Sequence, residues 1–383
     1  MRLDSLRTVQ WRNIADGTVD LSPAVNVLVG GNGQGKTNFL EAVQYLALGR
    51  SHRGSRDDEI VRFGADHFYV SGTGQGEAGE TLRIEAGFTP PRTKRLKVDG
   101  RPVARLTDLL GTLACVSFGP EDAELARGAP QLRRRYVDYA LAETSRSSLK
   151  LLADFRRAAQ QRATALREGR EGEAAAERAL AAWDDELVRI GLEVIGRRAE
   201  ALSGLGRETT AAFGRLVNGA ELRLRYAVHA AGEAFDVETG LAELRERLQS
   251  GDVERTFRMR LRQRRAAERA RGQTLVGPHR DDVELVLDGR DLRRFGSQGQ
   301  SRAAAVALKM GQAEFIAARR NDRPIVVLDD VFAEFDEARA RSLWATVCER
   351  HQTFLAVPRR GDLELGSGDA VFEVVDGSLR RER

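Results

Sequence analysis

The chain reads as an α/β protein whose sheet is assembled from both ends of the sequence, with a mainly helical lobe inserted between them. Three observations lead there. A strand, a glycine-rich loop and a helix follow one another at 24–48. A second strand, ending in paired aspartates, lies at 324–331 near the other end. Between them runs a stretch rich in Ala, Leu, Arg and Glu, with its apolar residues at helical spacing. Strands alternating with helices at both ends call for a parallel sheet.

The elements follow in order. Ala24 to Gly30, "AVNVLVG", is a β-rich apolar run that stops at glycine. In "KTNFLEAVQYLAL" that follows, Phe39, Leu40, Val43, Leu46 and Ala47 mark a helix face. "TLRIEAGF" and "RLKVDGRPV" alternate as strands do, and Asp99-Gly100 is a hairpin turn signal. After about Pro120 the composition changes. Leu180, Trp183, Leu187, Ile190 and Val194 recur every three or four residues, the stripe of an amphipathic helix. Glycines at 169, 172, 204, 206 and 219 are expected to break this region into segments, giving a compact lobe and not a long coiled coil. "ELRLRYAVH" puts Leu222, Leu224, Tyr226 and Val228 on one face of a strand inside or beside the lobe. Strand patterns return after about Thr274 with "VELVLDG", "PIVVLDDV" and "TFLAV". The expected division is 1–120 and 273–383 for the α/β domain and 121–272 for the lobe.

Composition narrows the class. Hydrophobic residues make up 42% and charged residues 31%, a soluble globular profile. No apolar run approaches the roughly eighteen residues of a membrane helix, and Met1-Arg2-Leu3-Asp4 has no secretory pattern. Cys115 and Cys348 fall in no motif and fit structural thiols of a reducing cytosol. The net charge of +4 is mild. Basic residues cluster at Arg92 to Arg101, at Arg133-Arg134-Arg135, and at Glu254 to Arg271, where eight Arg stand against two Glu. Such runs are ordinarily solvated helix faces, so charge alone does not identify a polyanion partner.

"GGNGQGKT" is the first stretch that carries chemistry. Gly30, Gly31, Asn32, Gly33, Gln34, Gly35, Lys36 and Thr37 match G-x-x-x-x-G-K-[ST], and Asn38 follows. Glycines let successive backbone N–H groups turn toward phosphate oxygens. The next helix aims its positive end at the same anion. Lys36 adds a point charge for the β- and γ-phosphates, and the Thr37 hydroxyl is a Mg²⁺ ligand. With five lysines in the chain, a chance match in a strand–loop–helix context is rare.

The second stretch is the acidic strand end, "PIVVLDDVFAEFD". A buried strand ending in a carboxylate is what Mg²⁺ requires beside such a loop, which makes Asp329 its expected partner. Asp330 is a candidate to polarise the attacking water, or else a cap for the next helix. A third stretch, "FGSQGQSR", leads Ser297 and Gly299 into a helix at its positive end, the geometry of a second anion site.

"GGNGQGKTNFLEA", "GPHRDDVEL", "FGSQGQSRAAAVALK" and "VVLDDVFAEFD" occur together and in that order. On these stretches, and on "GRSHRGSRDDEIVRFG" and "RRRYVDYAL", the chain resembles the RecF family of bacterial DNA repair ATPases, within the wider ABC/SMC-type ATPases. The resemblance implies an ABC-type P-loop ATPase head built from both chain ends with a helical insert. It implies a cytoplasmic ATPase that uses ATP and Mg²⁺ and forms a homodimer when ATP is bound. It implies binding to DNA at single-strand gaps or junctions, and loading of RecA with RecR and RecO as helpers. Hydrolysis is then slow, stimulated by DNA, and acts as a timer. Site roles carry over in the same way. Gly30 to Thr37 take the Walker A role and Asp329 the Walker B role. Asp330 stands where many ABC ATPases place a catalytic Glu. Ser297, Gln298, Gly299 and Gln300 take the signature role, acting on the partner's nucleotide. Glu334 to Asp336 resemble the loop along the dimer seam, Arg12 and Asn13 sit where relatives approach adenine, and Glu121-Asp122 sit near a Mg²⁺-sensing position.

The chain departs from that pattern at one place. "TFLAVPRRGD" has no histidine where many ABC ATPases sense the γ-phosphate, and His351, before that strand, reads as a surface residue. "GPHRDD" leaves two readings for Arg280: a pair with Asp281 or Asp282, or a contact to DNA or nucleotide. Three other classes fit less well. A transporter nucleotide-binding domain has no use for the large helical insert. A long-armed SMC-like DNA-bridging protein needs far longer heptad arms and a hinge or C-x-x-C hook. A small-molecule P-loop kinase leaves "FGSQGQSR" unexplained.

Overall fold

The computed structural model describes every residue except 77–78, 92, 169–173, 332–336, 360, 362–364 and 383, together with the side chains of 174–176 and 337–339. The chain divides into two compact units: Met1–Asp122 with Gln312–Arg383, and Ala123–Gly311. Among the described residues no helix is long and apolar enough to cross a membrane.

The first unit contains two six-stranded sheets. In one, Val25–Val29 lies between Thr353–Val357 and Ala370–Val375, parallel to both. Ile325–Asp329 and Cys115–Phe118 continue the parallel array. Ser378–Arg381 closes it as an antiparallel hairpin partner of Ala370–Val375. Ile325–Leu328 and Thr353–Val357 are buried at every position, which is why they read as unbroken apolar runs. Because Val25–Val29 and Ile325–Asp329 run in the same direction, the loop after the first and the aspartates of the second emerge at the same sheet edge.

The other sheet is antiparallel and runs from Gly17–Asp20 through Arg2–Val9, Phe68–Gln75, Thr81–Thr89 and Thr93–Val98 to Arg101–Pro102. The helix Lys36–Leu48 belongs to the core of this unit and is buried over nearly its whole circumference. Trp11, Tyr45 and Phe68 meet edge to face there, with ring centroids 5.0 to 5.5 Å apart.

The second unit combines helices Pro130–Thr144, Arg146–Glu168, Ala174–Leu216 and Asp252–Arg271 with a four-stranded sheet. Two expectations are corrected here. Residues 273–311, assigned from sequence to the α/β domain, belong to this unit. The reason is strand pairing: Asp282–Leu287 is antiparallel to Leu222–Val228. Gly204 and Gly206 do not interrupt the lobe but lie inside a helix of 43 residues. Each glycine costs roughly 1 kcal/mol in a helix interior, which the buried face of so long a helix (Leu187, Val194, Leu202 and Phe213 among others) offsets. Gly169 and Gly172 lie outside the described residues. One buried ion network ties three elements of this unit: Arg162, fully buried, donates to Asp184 at 2.7 Å, Glu268 at 2.6 Å and Thr274 Oγ1 at 3.0 Å.

Candidate functional site

The site begins where the strand Val25–Val29 runs out. Gly31, Asn32 and Gly33 form an exposed loop tip, and Lys36 returns the chain to the interior with 5% of its surface exposed. The Lys36 ammonium donates to the carbonyls of Gly30 at 2.7 Å and Gly31 at 3.0 Å, so it lies along the inner side of the loop. Gly35 caps the helix Lys36–Leu48 with φ of +115°, and no side chain caps the first turn. A Cβ at Gly35 would lie 2.9 Å from Ile14 Cδ1 and 3.1 Å from Asn13 Oδ1, so both its backbone and its space exclude other residues. An uncapped first turn leaves N–H groups directed at whatever anion the loop surrounds.

Two distant segments hold this loop. Gln34 Oε1 accepts from the Asp376 N–H at 2.6 Å, and the Gln34 carbonyl accepts from the Gly377 N–H at 2.9 Å. Asn13 donates to the Gly33 carbonyl at 3.3 Å and accepts from Asn38 Nδ2 at 2.7 Å. Arg12, expected near a base, is taken up by other partners. It donates to both carboxylate oxygens of the buried Glu41 at 2.9 and 3.0 Å, and to the Glu59 carbonyl at 3.1 Å. Arg12 and Asn13 nevertheless line a cavity of about 850 Å³ together with Asn38, Phe63 and Asp376. The Phe63 ring is fully exposed at this cavity.

Thr37 Oγ1 donates to Asp329 Oδ1 at 3.2 Å. Burial raises the Asp329 carboxyl above the usual carboxylate range; Thr37 and Arg53 pull it down, while Asp330 and Glu121 push it further up. Asp330 adopts φ of +51°, and its Oδ1 is buried with no hydrogen-bond partner among the described residues. Among the described residues no group of three or more His, Cys, Asp or Glu can hold a metal unaided. A hydroxyl, a carboxylate raised by burial and then by its acidic neighbours, and an oxygen without a partner among the described residues suit Mg²⁺, a cation that takes oxygen ligands from carboxylates, phosphates and water. The residues present therefore fit that ion.

Three further residues belong to this environment and were not singled out from sequence. Burial lowers the His52 imidazole, against the pull of Glu41, Glu121 and Asp122. Arg53 lies 3.9 Å from Glu41 and donates to Asn38 Oδ1 at 3.3 Å, and its charge lowers Asp329. Glu41 joins Arg12 and Ser51. The available signals were two family-like stretches: Gly49 to Gly64, which contains His52 and Arg53, and "GGNGQGKTNFLEA", which contains Glu41. His351 is not a surface residue: it is buried, its Nδ1 lies 3.0 Å from the Pro324 carbonyl, and its Nε2 lies 3.6 Å from Glu314. Those two partners satisfy the ring inside the unit.

The signature-like residues lie in the other unit. Ser297 Oγ accepts from the Gln300 N–H at 3.1 Å, and Gln300 Oε1 accepts from the Ser297 N–H at 2.8 Å. This is a reciprocal capping box at the start of the helix Gln298–Arg320. Arg127 Nε donates to Ser301 Oγ at 2.7 Å and Ser301 donates to the Ser297 carbonyl at 2.9 Å, bracing the turn. Ser297 and Gln298 are exposed. Glu334 and Asp336 lie outside the described residues.

The chain matches the model of the RecF/RecN/SMC N-terminal domain over residues 2–363. It is 37% identical over 344 residues to the DNA replication and repair protein RecF of Heliobacterium modesticaldum, covering 90% of this chain and 88% of that one. The chain belongs to the RecF family. A RecF of Symbiobacterium thermophilum is 36% identical over 385 residues, 99% of this chain and 98% of the relative. Among solved structures, the recombination mediator protein RecF-ATPrS in RecFOR pathway superposes with a TM-score of 0.86 at 28% identity, over 100% of this chain and 98% of that one. An Smc head domain from Pyrococcus furiosus is similar in fold alone, with a TM-score of 0.56 at 15% identity. RecF membership makes the chain an α/β ATPase of the ABC/SMC type.

Proposed function

We propose that this RecF-family chain is a DNA-stimulated ATPase of recombinational repair whose assembly into a dimer is switched by ATP. The observation that carries it is the junction of Gly30–Thr37 with Asp329, a phosphate loop facing a buried acidic strand end. In this reading the Gly30–Asn38 backbone and the helix behind it bind the triphosphate, and Lys36 leaves the loop carbonyls for the β- and γ-phosphates. Thr37 and Asp329 hold Mg²⁺, which neutralises charge on the phosphoryl oxygens when bound. Asp330 orients the attacking water and accepts its proton through the unpartnered Oδ1. A carboxylate one methylene shorter than Glu reaches that water less well, in keeping with slow turnover.

Ser297, Gln298, Gly299 and Gln300 face the partner's γ-phosphate, with Asp336 along the same seam. ATP therefore closes the dimer and hydrolysis releases it. A solved relative is described as a recombination mediator in the RecFOR pathway. On that support the DNA substrate is a gap or junction, the helpers are RecO and RecR, and the outcome is RecA loading. Sedimentation velocity of the wild-type chain with ATP, ADP and gapped duplex tests the reading. The expected result is a dimer with ATP alone, stabilised by DNA; a monomer under every condition overturns the switch.

A further inference from the structure

The stretch "GPHRDD", Gly277 to Asp282, belongs to the second unit and is not among the residues assigned above to the nucleotide. Asp281 is buried and accepts from Tyr226 Oη at 2.7 Å, the His229 N–H at 2.9 Å and Arg198 Nη1 at 3.2 Å. Asp282 accepts from Arg133 Nε at 2.8 Å and Nη2 at 2.9 Å. Both acids that could have paired with Arg280 are therefore held by other arginines. Arg280 stands exposed and, among the described residues, has no carboxylate partner.

Arg280 shares its surroundings with two more cations: the His229 N–H bonds the adjacent Asp281, and Phe257 of the helix Asp252–Arg271 packs against Gly277 of the same turn. Burial first, then Arg260, Arg280 and Arg264, push the His229 imidazole down to about 4. Burial, Arg280 and Arg134 do the same to His279, against a bond to Thr274. Arg260 and Arg264 are one turn apart on Asp252–Arg271, and the Arg260 guanidinium covers Gly232 in the turn after Leu222–Val228. Neither has an ion-pair partner among the described residues. On the same helix Arg255, Arg258, Arg265 and Arg269 pair with Asp252, Asp185, Asp184 and Glu177. Arg262, also without an ion pair among the described residues, lies on the side of these paired arginines, whereas Arg260 and Arg264 lie on the opposite side. Three atoms around the unpaired group, His229 Nδ1, His279 Nδ1 and Arg260 Nε, are buried without a hydrogen-bond partner among the described residues.

Gathering like charges costs free energy in the folded chain. The chain has 57 acidic residues, yet among the described residues none is paired with these three arginines. Guanidinium forks match phosphate oxygens, and three unpaired cations drawn from a helix and a separate turn suit a polyanion with repeating phosphates. We propose that Arg260, Arg264 and Arg280 form a contact surface for the sugar-phosphate backbone of DNA. It rests on the DNA-binding reading above and assigns that reading a place on the second unit.

The test titrates fluorescein-labelled gapped duplex into the full chain with ATP at several salt concentrations. Arg260→Ala/Arg264→Ala/Arg280→Ala is expected to weaken binding tenfold or more and to reduce the log–log salt slope by about 3, roughly one per phosphate contact. Arg280→Ala alone, at an exposed position, reduces it by about 1. Arg262→Ala removes the same charge from the same helix, about 200° round its axis, and leaves both quantities unchanged. ATP affinity stays at the wild-type value throughout. Wild-type DNA affinity and slope in the triple variant overturn the site while leaving the general reading intact. Loss of calorimetric binding to inorganic phosphate without loss of DNA affinity makes it a free-anion site and overturns the DNA assignment. No DNA binding by the wild type overturns the underlying reading and this surface with it.

Discussion

Thr37 Oγ1 donates to Asp329 Oδ1 across 3.2 Å although 292 positions separate the two residues. The strand Thr353–Val357 lies between Val25–Val29, which leads into the loop and the helix that carries Thr37, and Ile325–Asp329, which ends in Asp329, and all three are parallel. In the proposed function each polar group at the sheet edge has a distinct task, and the tasks separate by mutation. Lys36→Ala removes the cation inside the loop and is expected to abolish ATP binding. Asp330→Asn keeps the loop and is expected to bind ATP normally while turnover falls about 100-fold. Equilibrium titration with a fluorescent ATP analogue and a phosphate-release assay read the two effects. Normal affinity in the Lys36 variant sinks the phosphate-loop assignment; wild-type turnover in the Asp330 variant sinks the general base.

Ser297 has two duties that a single substitution can confuse. Its Oγ caps the helix Gln298–Arg320 through Gln300, and the exposed turn is proposed to meet a partner's nucleotide. Ser297→Arg is expected to keep ATP binding, because the phosphate loop belongs to the other unit, and to remain monomeric with ATP by sedimentation velocity. Loss of the cap alone costs about 1 kcal/mol, and Ser297→Thr, which retains a capping hydroxyl, should still dimerise. An ATP-dependent dimer of the arginine variant refutes the trans role.

What could be read in advance was whatever is encoded locally. The run Val25–Val29, the glycines and the helix Lys36–Leu48 are contiguous, so their pattern and chemistry coincide in one window. Asp329 could be found for the same reason, as the polar end of an apolar strand. The grip of Asp376 and Gly377 on Gln34 could not, because Asp-Gly predicts a turn but not what the turn will touch. The membership of 273–311 depends on Asp282–Leu287 finding Leu222–Val228, a pairing choice with no local signature. The two readings of Arg280 remained open because Arg133 and Arg198 take its acidic neighbours from distant helices.

Gly377 offers a test of that unforeseen grip. Its φ is +78°, and a Cβ there would overlap the Asn13 carbonyl. Gly377→Ala must therefore displace either the hairpin turn or Asn13, and both hold the phosphate loop. The expected outcome is a loss of about 1–3 kcal/mol in stability together with weaker ATP binding. Gly219→Ala is the control: φ is +76° but a Cβ meets nothing within 4 Å. It should cost about 1 kcal/mol, the backbone strain alone, and leave ATP affinity unchanged. Equal effects on ATP affinity from the two variants would falsify the bracing role of the turn.

His279 makes stability depend on pH with a definite sign. Its Nε2 lies 2.9 Å from the Thr274 carbonyl, which fixes the proton there and leaves the buried Nδ1 bare. Charging the ring places a second N–H where no acceptor stands, and burial pushes the group down to about 4. In the unfolded chain the imidazole titrates near 6.5. Between those values the unfolded state binds more protons, so this contribution is complete above about 6.5 and is lost as pH falls toward 4. Asp281 acts in the opposite direction: burial raises it to about 6, so its contribution is lost as pH rises through that value. The difference between two proteins isolates the histidine. The melting temperature of His279→Phe, whose ring can pack against Phe155, should fall less steeply than that of the wild type from pH 7 to 4.5. Parallel slopes in the two proteins would show that His279 is not buried as the neutral ring.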